Sequence, residues 1–345
     1  MKRIGFLSFG HWRAAPGSQT RTASDALLQT IELAQAAEDL GIDGAFVRVH
    51  HFERQLASPL PLLAAIGART SRIEIGTAVI DMRYENPLYL AEEAAAADLI
   101  SGGRLQLGVS RGSPETVLRG AESFGYRPAD GESDADAARR KTEIFLAAIG
   151  GAVVARTDPA RTGVSGGLAI QPQSPGLADR IWWGSGTRAT AQWAARAGMN
   201  LQSSTLLSED TGVPFDQLQA EQIRLYREAW AERGGTREPR VSVSRSVLPI
   251  TEDIDRMYFG DQEHEDQIGL LEGVRSRFGR TYVGEPDAVA AELAADEAVR
   301  EADTVLFTVP NQLGVAYNAR ILATIAAHIA PAIGWTPGVA AGHLT

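Results

Sequence analysis

Two kinds of segment alternate along this chain, and that alternation limits its folding more than any single motif. Candidate strands, several of them short apolar runs, fall at 4–8, 45–49, 73–78, 105–109, 181–183, 200–203, 241–248 and 304–309. Between them lie stretches with apolar residues at helical spacing, such as Leu27, Ile31, Ala34 and Ala37. Ser24 is the expected cap of that first helix and Gly41 its stop. Further helices are expected near 88–100, 134–148, 188–197, 215–232, 286–296 and 315–329. Eight strands interleaved with helices predict an α/β chain closed as a (β/α)8 TIM barrel, which typically needs ~250 residues. The 345 residues leave room for two insertions. Turn signals (GG, DP, SGG, PQSP) make 150–175 a hairpin, while 250–285 is polar, lacks periodicity and is a candidate lid. With no internal repeat and no Pro/Ser-rich linker, one domain is expected over 1–345.

Composition narrows the partner. The absence of cysteine excludes disulfides, thiolate metal sites and cysteine nucleophiles, and fits a reducing, cytoplasmic setting. A net charge of -10 disfavours nucleic acid and anionic membrane, both of which attract Lys and Arg. No run approaches the ~20 apolar residues of a membrane span. The start MKRIGFLSFGHW is broken by Gly5, Gly10 and His11, so it reads as a first strand rather than a signal. A small molecule is the expected partner.

In such a barrel the chemistry gathers at the C-terminal ends of the strands. That rule selects Phe9 and His11, the pair His50 and His51, the stretch 78–86, Ser110 to Gly112, and Gly184 to Thr187. Imidazole titrates near neutrality, which makes the His pair a candidate acid or base, although adjacent histidines are as often a structural pair. A zinc site would need further ligands such as Glu53, and no metal is assigned. Arg111 offers a rigid guanidinium fork for a phosphate or carboxylate, or a salt bridge at the rim. The turn Gly184-Ser185-Gly186-Thr187 joins a strand to a helix whose free N–H groups and positive end suit a phosphate, with Thr187 and Thr190 adding hydroxyls. The same turn reads G-x-G-x-x-A. A dinucleotide site is disfavoured, because the following strand at 200–203 does not end in Asp or Glu.

Four ordered segments, EDLGIDGAFVRVHHF, RIEIGTAVIDMRYENPLYLAEEAAAADLISGGRLQLGVSRG, IWWGSGTRATAQWAARAG and GRTYVGEPDAVAAELA, resemble the bacterial-luciferase-like flavin-dependent monooxygenases. The resemblance implies a barrel that binds reduced FMN, forms a flavin C4a-hydroperoxide with O2 and oxygenates a small organic substrate, the reduced flavin coming from a separate reductase. By the same resemblance His50 is the active-site histidine near the flavin's reactive edge and His51 its neighbour. Arg111, Ser185, Gly186, Thr187 and Thr190 match the phosphate-binding positions, Ser110 approaches the C4a region, and Asn86 meets the pyrimidine end. The Ala78-Val79 bond corresponds to a non-proline cis peptide beneath the ring. A homodimer is implied as well. One position departs: many relatives carry an acid before the histidines, whereas Val49 stands here, which leaves the imidazole without a carboxylate and lowers its expected pKa. Two other readings share the fold, a deazaflavin-dependent hydride-transfer oxidoreductase and a non-catalytic flavin-binding protein.

Overall fold

The computed structural model describes residues 2–112, 117–209, 211–260, 265–271 and 274–337. Eight parallel strands close on themselves: β1 Arg3–Ser8, β2 Gly44–Val47, β3 Glu74–Thr77, β4 Leu105–Ser110, β5 Ile181–Ser185, β6 Asn200–Ser203, β7 Val241–Pro249 and β8 Thr304–Thr308. Closure runs through β8, which pairs β7 on one side and β1 on the other, placing Phe6 opposite Phe307. The expected (β/α)8 barrel is the observed fold.

Helices cover the outside: α1 Ala23–Asp39, α2 Pro59–Arg69, α3 Pro87–Ile100, α4 Asp134–Ile149, α5 Arg188–Arg196, α6 Phe215–Arg233, α7 Pro286–Ala295 and α8 Gly314–Thr324. Their apolar stripes bury Leu33, Ile66, Ala94, Phe145 and Ile223 against outward strand residues such as Ile4, Val47, Ile75 and Leu107. The cap of α1 is Thr22 rather than Ser24. Its hydroxyl accepts from Asp25 N at 3.1 Å while the Asp25 carboxylate accepts from Thr22 N at 2.8 Å, a reciprocal box that Ser24, already inside the helix, does not make. The helix α2 begins at Pro59, where a missing N–H is harmless, and its two early prolines hide its periodicity in the sequence.

Inside the barrel, Leu7, Phe46 and Leu306 form an apolar layer with Phe9 and Ala78 packed on it. The ring of Phe46 fits because Gly76 lies beside it; a Cβ there would stand 2.6 Å from Phe46 Cε1. At the N-terminal ends a polar plug follows. Trp182 Nε1 donates to Gln106 Oε1 at 2.8 Å, and Arg240 grips Glu74 at 2.9 and 3.0 Å.

The 150–175 insertion contains the expected hairpin, with Ala155–Arg156 antiparallel to Gly167–Leu168. The 250–285 segment is more ordered than its polarity suggests, though 261–264 and 272–273 of the candidate lid lie outside the described residues. Its first part is a helix, Asp253–Phe259, fixed by Asp255, which accepts from Tyr317 and Arg320 at 2.5 Å each. Its last part, Thr281–Gly284, is a further parallel strand beside the second half of β7. Between them Gln267–Leu271 and Val274–Phe278 form a hairpin that pairs with Leu206–Leu207, just beyond β6. The helical run Asn311–Ile333 is long and apolar enough to cross a bilayer by length and composition. Here its Ile321, Leu322, Ile325 and Ile329 are buried in the main core.

Candidate active site

One cleft opens at the C-terminal ends of β2 to β6, with about 870 Å³ of empty space counted out to open solvent. It unites His50, His51, Val79, Ser110, Arg111, Gly186, Thr187 and Thr190. Ala78 and Ser185 stand directly behind this surface, Ala78 in the interior layer and Ser185 fully buried under the turn. Asn86 stands apart: its Oδ1 accepts from Leu88 N at 3.0 Å and Tyr89 N at 3.2 Å, which makes it the cap of α3 rather than part of the cleft wall.

The end of β2 supplies the titratable group. Alternation along an extended chain sends Val49 into the core and turns Arg48 and His50 to the cleft. His50 is held by its backbone N–H to Leu56 O at 2.9 Å, and its Nε2 accepts from Arg48 Nε at 3.0 Å. Acceptance at Nε2 assigns the imidazole proton to Nδ1. Burial, then the Arg48 charge, pushes the His50 pKa down to about 4, so the ring is neutral at pH 7. The pKa is low, but the causes are burial and the Arg48 cation, with Glu53 pulling weakly the other way. His51 reaches the edge of the cleft while its ring stacks on Tyr84 at 4.2 Å and meets Phe124 edge-on at 5.2 Å.

From β3 and β4 comes the floor. The Ala78-Val79 peptide is cis. Val79, Ser110 and Gly184 crowd together so closely that a Cβ on Gly184 would lie 2.9 Å from Val79 Cγ1 and 3.3 Å from Ser110 Cβ. Ser110 Oγ accepts from Gly112 N at 2.9 Å, and Gly112 adopts φ +83°, directly over Asp81. Asp81 is tied to Arg83 at 2.6 Å, while Arg111 is solvent-exposed at the mouth.

The helix α5 starts at the cleft's far wall. Thr187 caps it, accepting from Thr190 N at 3.2 Å, and the hydroxyls of Ser185, Thr187 and Thr190 are knotted together at 2.5 and 2.9 Å. Ser185 also donates to Thr187 O at 2.9 Å, so Thr190 donates to Ser185 and Thr187 to Thr190, and all three hydroxyl protons are used within the knot. Part of the helix's positive end is already used, because Glu209 accepts from Arg188 N at 3.0 Å. The open donors are therefore Ser208, which Gly186 O positions through Ser208 N at 3.0 Å, and the Arg111 guanidinium. Glycine at 184 and 186 leaves a cradle that any side chain would narrow. These features fit an anionic, phosphate-bearing planar cofactor lying from the turn to His50.

Several cleft residues carried no strong signal in the sequence: Arg48, Asp81, Ser204, Leu206 and Ser208. Arg48 was detectable by its same-face spacing with His50, whereas Ser204 to Ser208 enter only through the tertiary position of the loop after β6. Of the aromatic candidates, Trp183 lines the cleft with Trp193 behind it at 4.7 Å, and Trp182 faces the polar plug. Met257 and Tyr258 are exposed, and Phe259 is in the core. No metal-like group of three His, Asp or Glu side chains converges among the described residues.

Residues 1–302 match the family model described as luciferase-like monooxygenase. Among curated proteins the chain is 38% identical over 99 residues to the uncharacterized protein YwcH of Bacillus subtilis, 28% of this chain and 30% of that one. It is 32% identical over 110 residues to the oxygenase component of the flavin-dependent trigonelline monooxygenase of Acinetobacter baylyi, 31% of this chain and 30% of that one. The alignments thus span under a third of either relative. Among solved structures, the oxygenating constituent of the 3,6-diketocamphane monooxygenase of Pseudomonas putida, in complex with FMN, superposes with a TM-score of 0.67 at 17% identity, covering 96% of this chain and 99% of that one. That last likeness is one of fold.

Proposed function

The chain belongs to the luciferase-like monooxygenase family, and from that premise we propose that it is the oxygenase component of a two-component system, taking reduced FMN from a separate reductase and oxygenating a small organic substrate with O2. The observation that carries this reading is the single cleft in which a neutral histidine, the Val79–Ser110–Gly184 floor and the Gly186–Thr187 turn face one another. Bound reduced FMN would supply the electrons that activate O2, one oxygen atom entering the substrate and the other leaving as water.

The chain's own residues hold and shield. Arg111 and Ser208 bind the phosphate, Thr187 shapes the turn beneath it, and the glycines at 184 and 186 let it and the ring approach the backbone. Val79, Trp183 and Leu206 give the cleft apolar wall that excludes water. His50, neutral with its proton on Nδ1, acts as a hydrogen-bond donor at neutral pH and is not a reservoir of imidazolium.

The test is an anaerobic titration with reduced FMN and, separately, with reduced deazaflavin, followed by aeration. Preferential binding of FMN, with reoxidation kinetics altered by the protein and again by added substrate, is the expected result. Preference for the deazaflavin would replace it with hydride transfer. FMN reoxidation unchanged by the protein would leave only a flavin carrier.

A further inference from the structure

Arg48 is a half-buried cation with no carboxylate partner among the described residues. Its Nε donates to His50 Nε2 at 3.0 Å, its Nη1 donates to Thr205 Oγ1 at 3.3 Å, and its guanidinium lies 5.0 Å from the Phe9 ring centroid. No carboxylate among the described residues pairs with it, and its Nη2 has no partner there. Other buried or half-buried arginines are treated differently. Arg245 holds Asp296, Arg240 holds Glu74 and Arg180 holds Asp98. Arg104, which also lacks a carboxylate, gives its N–H groups to the carbonyls of Ser101, Ile73, Gly67 and Thr70. Arg48 has only a ring nitrogen and a hydroxyl, both weak compensation for a desolvated charge.

The position of Arg48 is as informative as its isolation. It lines the flavin cleft, and two of the three side chains it touches, Phe9 and Thr205, line a second chamber of about 820 Å³ counted out to open solvent. That chamber mixes apolar Phe9 and Phe215 with the hydroxyls of Thr205, Ser244, Ser246 and Thr308. Its other cations are committed, Arg245 to Asp296 and Arg280 to Glu292 at 3.4 Å, and its acid Glu265 is solvent-exposed. Arg48 thus lines the cleft and backs onto the chamber through Phe9 and Thr205, with its Nη2 uncommitted among the described residues.

We infer that Arg48 is a specificity residue that binds an oxyanion, a carboxylate or sulfonate, carried by the organic substrate seated in the second chamber. The inference rests on the proposed flavin reading for where the substrate reacts, but not for whether the anion binds. A bound oxyanion would take up the Nη2 face and provide the counter-charge that the fold omits.

The test compares cyclohexanecarboxylate with cyclohexanecarboxamide, matched in shape and different in charge, by calorimetry on the full chain with and without reduced FMN. The carboxylate should bind about tenfold tighter or better. Arg48→Gln should bring the ratio close to one, Arg48→Lys should keep part of it, and Thr205→Val, which frees Nη1, should reduce it less than Arg48→Gln does. Equal binding to the unaltered protein, a preference that survives Arg48→Gln, or a loss in Arg48→Gln that falls on FMN instead of the carboxylate would each overturn the inference. A protein that discriminates the two probes but binds no FMN keeps the subsite and loses the flavin reading. One that binds FMN without discriminating does the reverse.

Discussion

Arg245 is fully buried and Arg48 half-buried near the mouth of the barrel, and their surroundings are opposite. Arg245 meets Asp296 through two parallel hydrogen bonds of 2.7 and 2.9 Å, with Tyr282 and Val299 N completing the carboxylate's partners. Burial alone would raise the Asp296 carboxyl, yet Arg245 holds it below the usual range. Arg48 has no such partner. A cation given its counter-ion by the fold is a fastening. A cation left without one must draw its counter-charge from something that arrives, and the two regions should fail differently when cut.

The largest effect is expected in the fastening. Asp296→Ala leaves a buried guanidinium uncompensated and should destabilise the protein by about 3–5 kcal/mol in urea unfolding, while the remaining folded fraction binds FMN normally. If stability barely moves, the contrast with Arg48 collapses. Next, Arg111→Ala at the exposed mouth should weaken FMN by about 10- to 100-fold in a titration and change stability by under ~0.5 kcal/mol. Thr187→Ala cuts the cap and hydroxyl knot that shape the phosphate turn, so it should lose about 1 kcal/mol of stability and weaken FMN less than Arg111→Ala does.

The smallest effect is in the titration of His50. Arg48→Gln removes the second cause of its lowered pKa, so the imidazole should titrate above about 4, still short of its ordinary 6.5 because burial persists. NMR of the ring measures this directly. The sign for stability follows: between 6.5 and about 4 the unfolded chain binds the proton and the folded site resists it, so stability falls as pH drops through that window. In Arg48→Gln the window should narrow from its acid side.

The barrel was legible because most of its strands are apolar runs bounded by turns, a pattern that burial on both faces imposes, with Asn200–Ser203 the exception. The site was legible where chemistry depends on local sequence: His50, Arg111 and the Gly184–Thr187 turn all sit at strand ends. Asn86 shows the limit, since an Asn before Pro87 is equally what a helix cap requires, and only the fold shows Oδ1 turned to the helix. Thr281–Gly284 escaped notice because four residues of mixed polarity become a strand only when β7 offers its edge. The isolation of Arg48 is illegible in principle, because a missing partner is a property of everything around it.

Leu206 walls the cleft, and the same residue pairs through its backbone with Phe278 of the hairpin. A lineage built this way can rewrite residues 265–280 and thereby reshape one wall, while β2 to β5, which share no ladder with that hairpin, keep their register. Choice of substrate and retention of cofactor thus become separately heritable traits within one barrel.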